Sequence, residues 1–384
     1  MTEGQAPAGK ADARPRVLAL LSRTFPSVGG HLAALDGLRG IALLLVVFSH
    51  ASLIGIHMVP GIDMSGTGKT GVWLFFVLSS FLLMHQFLQL DATGRLDARE
   101  WWRYAWRRVL RIYPLYIVFL LVCWLSPLDH YMPPMSAREV VDHLLVRRGF
   151  WLTWSIAVEL KYYLALPVLV LAYLHVARRR FGVATALAAA VVGVHAWLAP
   201  PYHPYALWTY FVIFMVGSWV AVAHHHAARH PHWRLRLQPL AAVAACALFV
   251  VLMAMTPSLW SRIVDAPVPL NHWHRSFTLF ALLWGALLFC LLQSPGWLQA
   301  AFGWRPLRVF GVVSFSAYLW HGLLLANLDW LPFAEGDYAR APLLLAVLLV
   351  LSAASYLVIE RPFLMIGRSR RRAVVARDEV PAAR

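Results

Sequence analysis

Ten long apolar runs constrain this chain more than any other feature. They fall at residues 34–57, 70–90, 112–128, 152–177, 181–198, 205–223, 239–256, 276–293, 309–331 and 342–360. Each approaches the ~20 residues that a helix needs to cross the hydrocarbon of a bilayer. Continuous apolar runs exclude a transmembrane barrel, whose strands alternate over about ten residues. Hydrophobic residues make up 60% of the 384 positions and charged residues 14%. That leaves too little polar surface to cover a soluble globule in water. The expected fold is all-α, a polytopic bundle of about ten transmembrane helices embedded in the lipid bilayer.

The formal net charge is +16, which in a soluble chain would point to nucleic acid. Here its distribution gives another reading. With the N-terminus inside, 25 of the 34 lysines and arginines fall in inside segments and 7 in outside segments, Arg39 and Lys161 lying within spans. The positive-inside rule then puts both termini in the cytoplasm, in a bacterial-type plasma (inner) membrane, with no nucleic-acid partner expected. Residues 1–31 read as a basic, loose cytoplasmic tail without a secretory signal, 32–363 as the transmembrane domain, and 364–384 as a second basic tail on anionic headgroups. The three cysteines lie in apolar runs and predict no disulfide framework. His224–His226 read as part of a cytoplasmic loop without cysteine or carboxylate neighbours, so no metal site is expected.

A charge at the bilayer centre costs at least ~2.5 kcal/mol, so intramembrane charges mark function by default. In LDGLRGIALLLVVFSH (35–50), Arg39 and His50 stand eleven residues apart. That is three helical turns, one face, and about 16 Å of rise. Gly37 and Gly40 would admit a second helix closely. In WRRVLRIYPLY (106–116), Arg108 and Arg111 share a face at i, i+3, and Pro114 is placed at the helix start. Paired guanidinium groups suit phosphate. In TWSIAVELKYYL (153–164), Glu159 falls inside the fourth span, in the half that holds His50, where it could orient that imidazole. Lys161, two residues on, faces another side. His321, among Ser314, Ser316, Tyr318 and Trp320, could line the same cavity, the alternative being a core histidine bonded to a backbone carbonyl.

These elements together resemble the integral-membrane acyltransferase-3 family, over about residues 32–363. The family's basic residue, ten others, then histidine, falls on Arg39 and His50. Its Phe-Phe-x-x-Ser-Gly pattern is similar to FFVLSSFLL (75–83), which includes Ser79. Its Arg-x-x-Arg element falls on Arg108 and Arg111, and its Trp-Ser-Leu-x-x-Glu-like segment on Trp154, Ser155 and Glu159. Ser80 stands where the family usually has glycine, and Leu160 and Lys161 replace a more usual acidic–amide pair. No appended extracytoplasmic esterase-like domain is expected.

The resemblance implies transfer of an acetyl or other short acyl group from acyl-CoA, as co-substrate rather than bound cofactor, to a hydroxyl. The acceptor would be a carbohydrate of a surface glycan or a polyketide of macrolide type. His50 would be general base, an acyl-histidine intermediate being the alternative, and Glu159 would orient it or balance its charge. Arg39, Arg108 and Arg111 would hold the coenzyme's phosphates, and Ser79, Trp154, Ser155 and His321 would face the acceptor. The same charges also admit a transporter or flippase for a glycolipid or small molecule. Crowding of the charged spans into the first 165 residues, with no counterpart in the second half, favours the enzyme.

Overall fold

The computed structural model describes residues 33–125, 135–149, 151–198, 201–327 and 341–367. Both predicted tails, apart from 364–367, lie outside the described residues. The described part of every predicted apolar run falls mainly on helix, and no strand is present among the described residues. The order is α1 (Ala33–Leu53), α2 (Gly68–Ala92), α3 (Ala98–Leu125), α4 (Ala137–Leu144), α5 (Trp154–Leu171), α6 (Phe181–Leu198), α7 (Leu207–Ala228), α8 (Pro231–Ala254) and α9 (Pro257–Ile263). There follow α10 (Phe277–Gln293), α11 (Gly296–Phe302), α12 (Arg305–Val312), α13 (Ser314–Ala326) and α14 (Ala341–Ser355). π-Helical turns extend α5 over Ala172–Val176 and α14 over Tyr356–Glu360.

Eight of these segments are long and apolar enough to cross a membrane. The predicted span 309–331 is not one straight helix. Its described part belongs to α12 and α13, which meet at Val313 with a bend of 78° and could together make a ninth crossing. The predicted span 276–293 is the 17-residue α10, shorter than the others. The chain is an all-α, multi-pass membrane protein.

Helices α1, α2, α7 and α10 make the buried centre, around Leu38, Trp73, Phe76, Phe81, Phe214 and Trp284. Outer helices α6, α8 and α14 leave Trp197, Val243, Val250, Val350 and Val358 exposed. Such a surface would aggregate in water and is the surface that lipid solvates.

Small residues set the closest approaches. A methyl on Gly37 or Gly40 would collide with the backbone carbonyl of Phe302 or Leu307, and one on Gly311 with that of Asp36. The predicted close helix at Gly37 and Gly40 is therefore the α11–α12 segment. Ser80 is fully buried, its hydroxyl donating back to the Phe76 carbonyl at 2.9 Å. It faces Gly217 of α7, which has no side chain to obstruct it. The serine found in place of glycine is thus accommodated by a glycine across the interface.

Two local expectations are corrected. Pro114 lies sixteen residues into α3, not at its start, because the helix extends through the arginine-rich stretch. Glu100 pairs there with Arg103 and Arg107, a local ion cluster that supports the polar extension. His224–His226 lie within α7 rather than in a loop, with Gln293 donating to His224 Nδ1 at 3.1 Å. The short helix α4, between α3 and α5, begins with a capping box in which Ser136 and Glu139 satisfy each other's backbone N–H groups.

Candidate active site

Helices α1 and α2 run antiparallel, with Gly68 against Ser49 and His50 and Gly71 against Ala42, Leu45 and Val46. The C-terminal end of α1 and the start of α2 thus share one end of the bundle. A cavity of about 320 Å³ opens there, lined by His50, Gly68, Lys69, Trp154, Tyr202, Tyr205 and Tyr318 among others. Its size is at the lower end of the roughly 300–1,000 Å³ common for small-molecule sites.

His50 and His321 form a dyad, with Nδ1 of His50 2.9 Å from Nε2 of His321. The rings are nearly coplanar, at 8°. His321 is fully buried and its Nδ1 lies 2.7 Å from the Tyr318 carbonyl and 3.2 Å from that of Ala317. A carbonyl only accepts, so His321 carries its proton on Nδ1. Its Nε2 then accepts from His50 Nδ1–H. In the neutral dyad this leaves the lone pair of His50 on Nε2. That nitrogen lies 3.8 Å from where a Cβ on the cavity residue Gly68 would stand. His321 stands behind His50 rather than on the cavity wall, a core histidine bonded to backbone carbonyls.

Glu159 sits elsewhere than expected. Its Oε1 accepts from Ser79 Oγ at 2.6 Å and Tyr163 OH at 2.7 Å. Ser79 lies eleven residues along α2 from Gly68, about 16 Å deeper by helical rise. Asp36, Arg111 and Glu159 are electrostatic neighbours of Arg39. The partner on His50 Nδ1 is therefore His321, and the carboxylate serves the arginine level. The reason is helical rise, which α1 and α2 accumulate in opposite directions. Lys161 donates to the Tyr205 carbonyl at 2.6 Å, so it makes no pair with Glu159.

Arg39 donates from Nη2 to Ser314 Oγ at 3.1 Å, at the break between α12 and α13. Arg111 Nη1 meets Glu360 Oε2 at 2.7 Å, and Ser316 donates to the other oxygen of that carboxylate. Arg108 stands over the Tyr163 ring, 5.6 Å from its centroid. Arg108 Nε and Arg111 Nη2 are buried without a partner among the described residues. The three arginines thus form a cationic level spaced along α1 from the dyad, with donors still to satisfy. One arm of Arg111 is already committed to Glu360, which limits it to less than a two-armed grip.

Of the residues expected at the acceptor, Trp154 lines the cavity. Ser155 is buried behind it and donates to Tyr318 OH at 2.8 Å, while Tyr318 OH donates to the Leu152 carbonyl. Ser79 is bound to Glu159. Sequence reasoning missed Tyr163, Glu360 and Lys69. Glu360 was discoverable as an acid ending an apolar run, the same signal that marked Glu159.

A family model described as an acyltransferase domain matches residues 32–360. The chain is similar to a putative peptidoglycan O-acetyltransferase of Bacillus subtilis, 23% identical over 370 residues, covering 86% of this chain and 55% of the relative. It is also similar to a putative membrane-bound transacylase of Komagataeibacter xylinus, 26% identical over 360 residues, covering 85% and 81%. A peptidoglycan O-acetyltransferase of Listeria monocytogenes is 22% identical over 378 residues, covering 89% and 57%. The chain spans little more than half the length of the first and third of these. No solved structure matches it. With the family model spanning nearly all of the described helices, the chain belongs to the acyltransferase-3 family of integral-membrane proteins.

Proposed function

We propose that the protein is a membrane O-acyltransferase that moves an acetyl or other short acyl group from acyl-CoA to a hydroxyl of a sugar-containing acceptor. The observation that carries this reading is the His50–His321 dyad facing a cavity at one end of α1, with the arginine level at the other. His50 Nε2 takes the proton of the acceptor hydroxyl as its oxygen attacks the thioester carbonyl. The C–S bond then breaks, and the proton passes from His50 to the departing thiolate. General-base help of this kind contributes about 10²–10⁴-fold. His321 acts as a positioning residue, holding His50 in the tautomer that presents Nε2. Arg39, Arg108 and Arg111 receive the phosphates of the coenzyme, and the pantetheine arm spans the roughly 16 Å to His50.

The family's name and the relatives' O-acetyltransferase descriptions support this class of reaction. An orientation with both termini cytoplasmic, in the plasma membrane, fits a cytoplasmic donor and follows from the arginine distribution. Glu159 neutralises the arginine level and orders Ser79 and Tyr163.

The test uses purified protein in detergent, acetyl-CoA and longer acyl-CoAs, and pooled sugar and macrolide acceptors, with free thiol as the readout. Acceptor-dependent release that disappears in His50→Ala is expected. Near-normal turnover by that variant would overturn the role of His50. Absence of thiol release with every donor, together with absence of labelled acyl-CoA binding, would overturn the reaction itself.

A further inference from the structure

The cavity beside His50 carries a charge that acyl transfer alone does not explain. Lys69, the second residue of α2, lines it. Its Nζ lies 3.2 Å from Nδ1 of His274 and 5.6 Å from the centroid of the Tyr202 ring. Burial, aided by the Lys69 charge, pushes the His274 imidazole down to about 4. At neutral pH that ring is uncharged and accepts one lysine N–H, offering no counter-charge. Among the described residues no carboxylate lies within ion-pair distance of Lys69.

This placement is built into the backbone. Gly66 just before α2 has φ +84°, a left-handed conformation, and a side chain there would strike the Leu270 carbonyl. The turn before α2 is thereby pressed against the segment that carries His274. A lysine at the end of a membrane-spanning helix ordinarily meets headgroups. Here it is held on a cavity wall by a ring and a neutral imidazole. A partly desolvated ammonium without a counter-ion is costly, and a bound anion would relieve that cost.

Much of the remaining wall is aromatic, with Val46, Val72, Leu152 and Pro204 filling the rest. Trp154, Tyr202, Tyr205 and Tyr318 offer flat apolar faces with polar edges, which suit the C–H faces of a pyranose. We infer that this cavity is the acceptor site and that Lys69 selects a sugar bearing an acidic group, carboxylate or phosphate, close to the hydroxyl presented to His50. The inference rests on the acyl-transfer reading and adds the acceptor class to it. Gly68 beside His50 and Lys69 next in the chain place base and cation side by side, so one sugar residue serves both.

The experiment measures binding as well as turnover, on the full chain in detergent. Three probes are titrated and followed by tryptophan fluorescence: a glucuronic-acid-containing disaccharide, its carboxyl-reduced neutral counterpart, and a disaccharide phosphate. The wild type is expected to bind one or both acidic probes about tenfold more tightly than the neutral one, as a charge-assisted hydrogen bond provides. The carboxylate and phosphate arms identify which acid is read. Lys69→Gln should erase the preference, Lys69→Arg should keep it, and the neutral sugar in Lys69→Gln reports whether the cavity still forms. Equal binding of acidic and neutral probes, no saturable binding of any probe, or a preference that survives Lys69→Gln overturns the assignment. With acetyl-CoA and longer acyl-CoAs added, selective sugar binding with neither thiol release nor labelled acyl-CoA binding would leave an acid-reading sugar site standing and sink the acyl-transfer reading. Thiol release without acid preference would do the reverse.

Discussion

Two backbone carbonyls, of Ala317 and Tyr318, fix the proton on His321 Nδ1 and through it the tautomer of His50. Removing His321 should therefore act on His50. His321→Ala is expected to lower kcat by about 10²-fold or more and to alter the pH profile of kcat/KM, with the KM for acyl-CoA nearly unchanged. His321→Gln can still accept from His50 Nδ1 through its amide oxygen and should retain more activity. Identical losses in both variants, with an unaltered pH profile, would reduce His321 to packing. Glu159 calls for a different readout. Glu159→Ala leaves the hydroxyls of Ser79 and Tyr163 without their acceptor, and a loss of about 2–3 kcal/mol is expected in thermal unfolding in detergent. Ser79→Ala, which removes a donor and leaves Tyr163 on the carboxylate, should cost about 1 kcal/mol.

Beyond the apolar core, the position of one element on another is set at a few points by glycine and by buried charge. Gly40 lets α1 rest against the backbone at Leu307. Gly40→Val must push α1 off α12, moving Arg39 relative to Ser314, and both Tm and transfer should fall together. A stable, active Gly40→Val protein would show that the interface yields. The Arg111–Glu360 pair ties α3 to the π turn after α14, and through Ser316 to α13. Breaking one side of a buried pair costs about 3–5 kcal/mol, whereas replacing both by apolar groups is often near neutral. Glu360→Ala should thus be more damaging than Glu360→Ala combined with Arg111→Met, as read by thermal unfolding. The double variant should still lose acyl-CoA affinity if Arg111 contributes to phosphate binding.

At the scale of the whole molecule, the distribution of arginine predicts which face each loop occupies. In a cysteine-free background, Arg147→Cys should react with a membrane-impermeant thiol reagent in intact cells, and Arg99→Cys should react only after the membrane is opened. The opposite pattern would invert the bundle and put the arginine level on the outer side, where no acyl-CoA is available. Both positions are exposed in the fold, so labelling reports sidedness rather than burial.

The apolar runs determined the fold class, because a backbone in hydrocarbon must satisfy its own hydrogen bonds and a helix is the simplest way to do so. They also placed Arg39 and His50 on one face, since helical periodicity is a local property. Gly37 and Gly40 announced a close neighbour without identifying it. Tertiary structure decided what the charges meet. The bend at Val313 brings Ser314 to Arg39, and α13 carries His321 to His50 across 271 residues of sequence. Antiparallel packing set Glu159 at the arginine level instead of beside the dyad. Glu360 and Lys69 acquired their partners in the same way. Which buried charges pair depends on depth and rotation in the bundle. Those follow from how some hundreds of side chains pack, and no single helix records them.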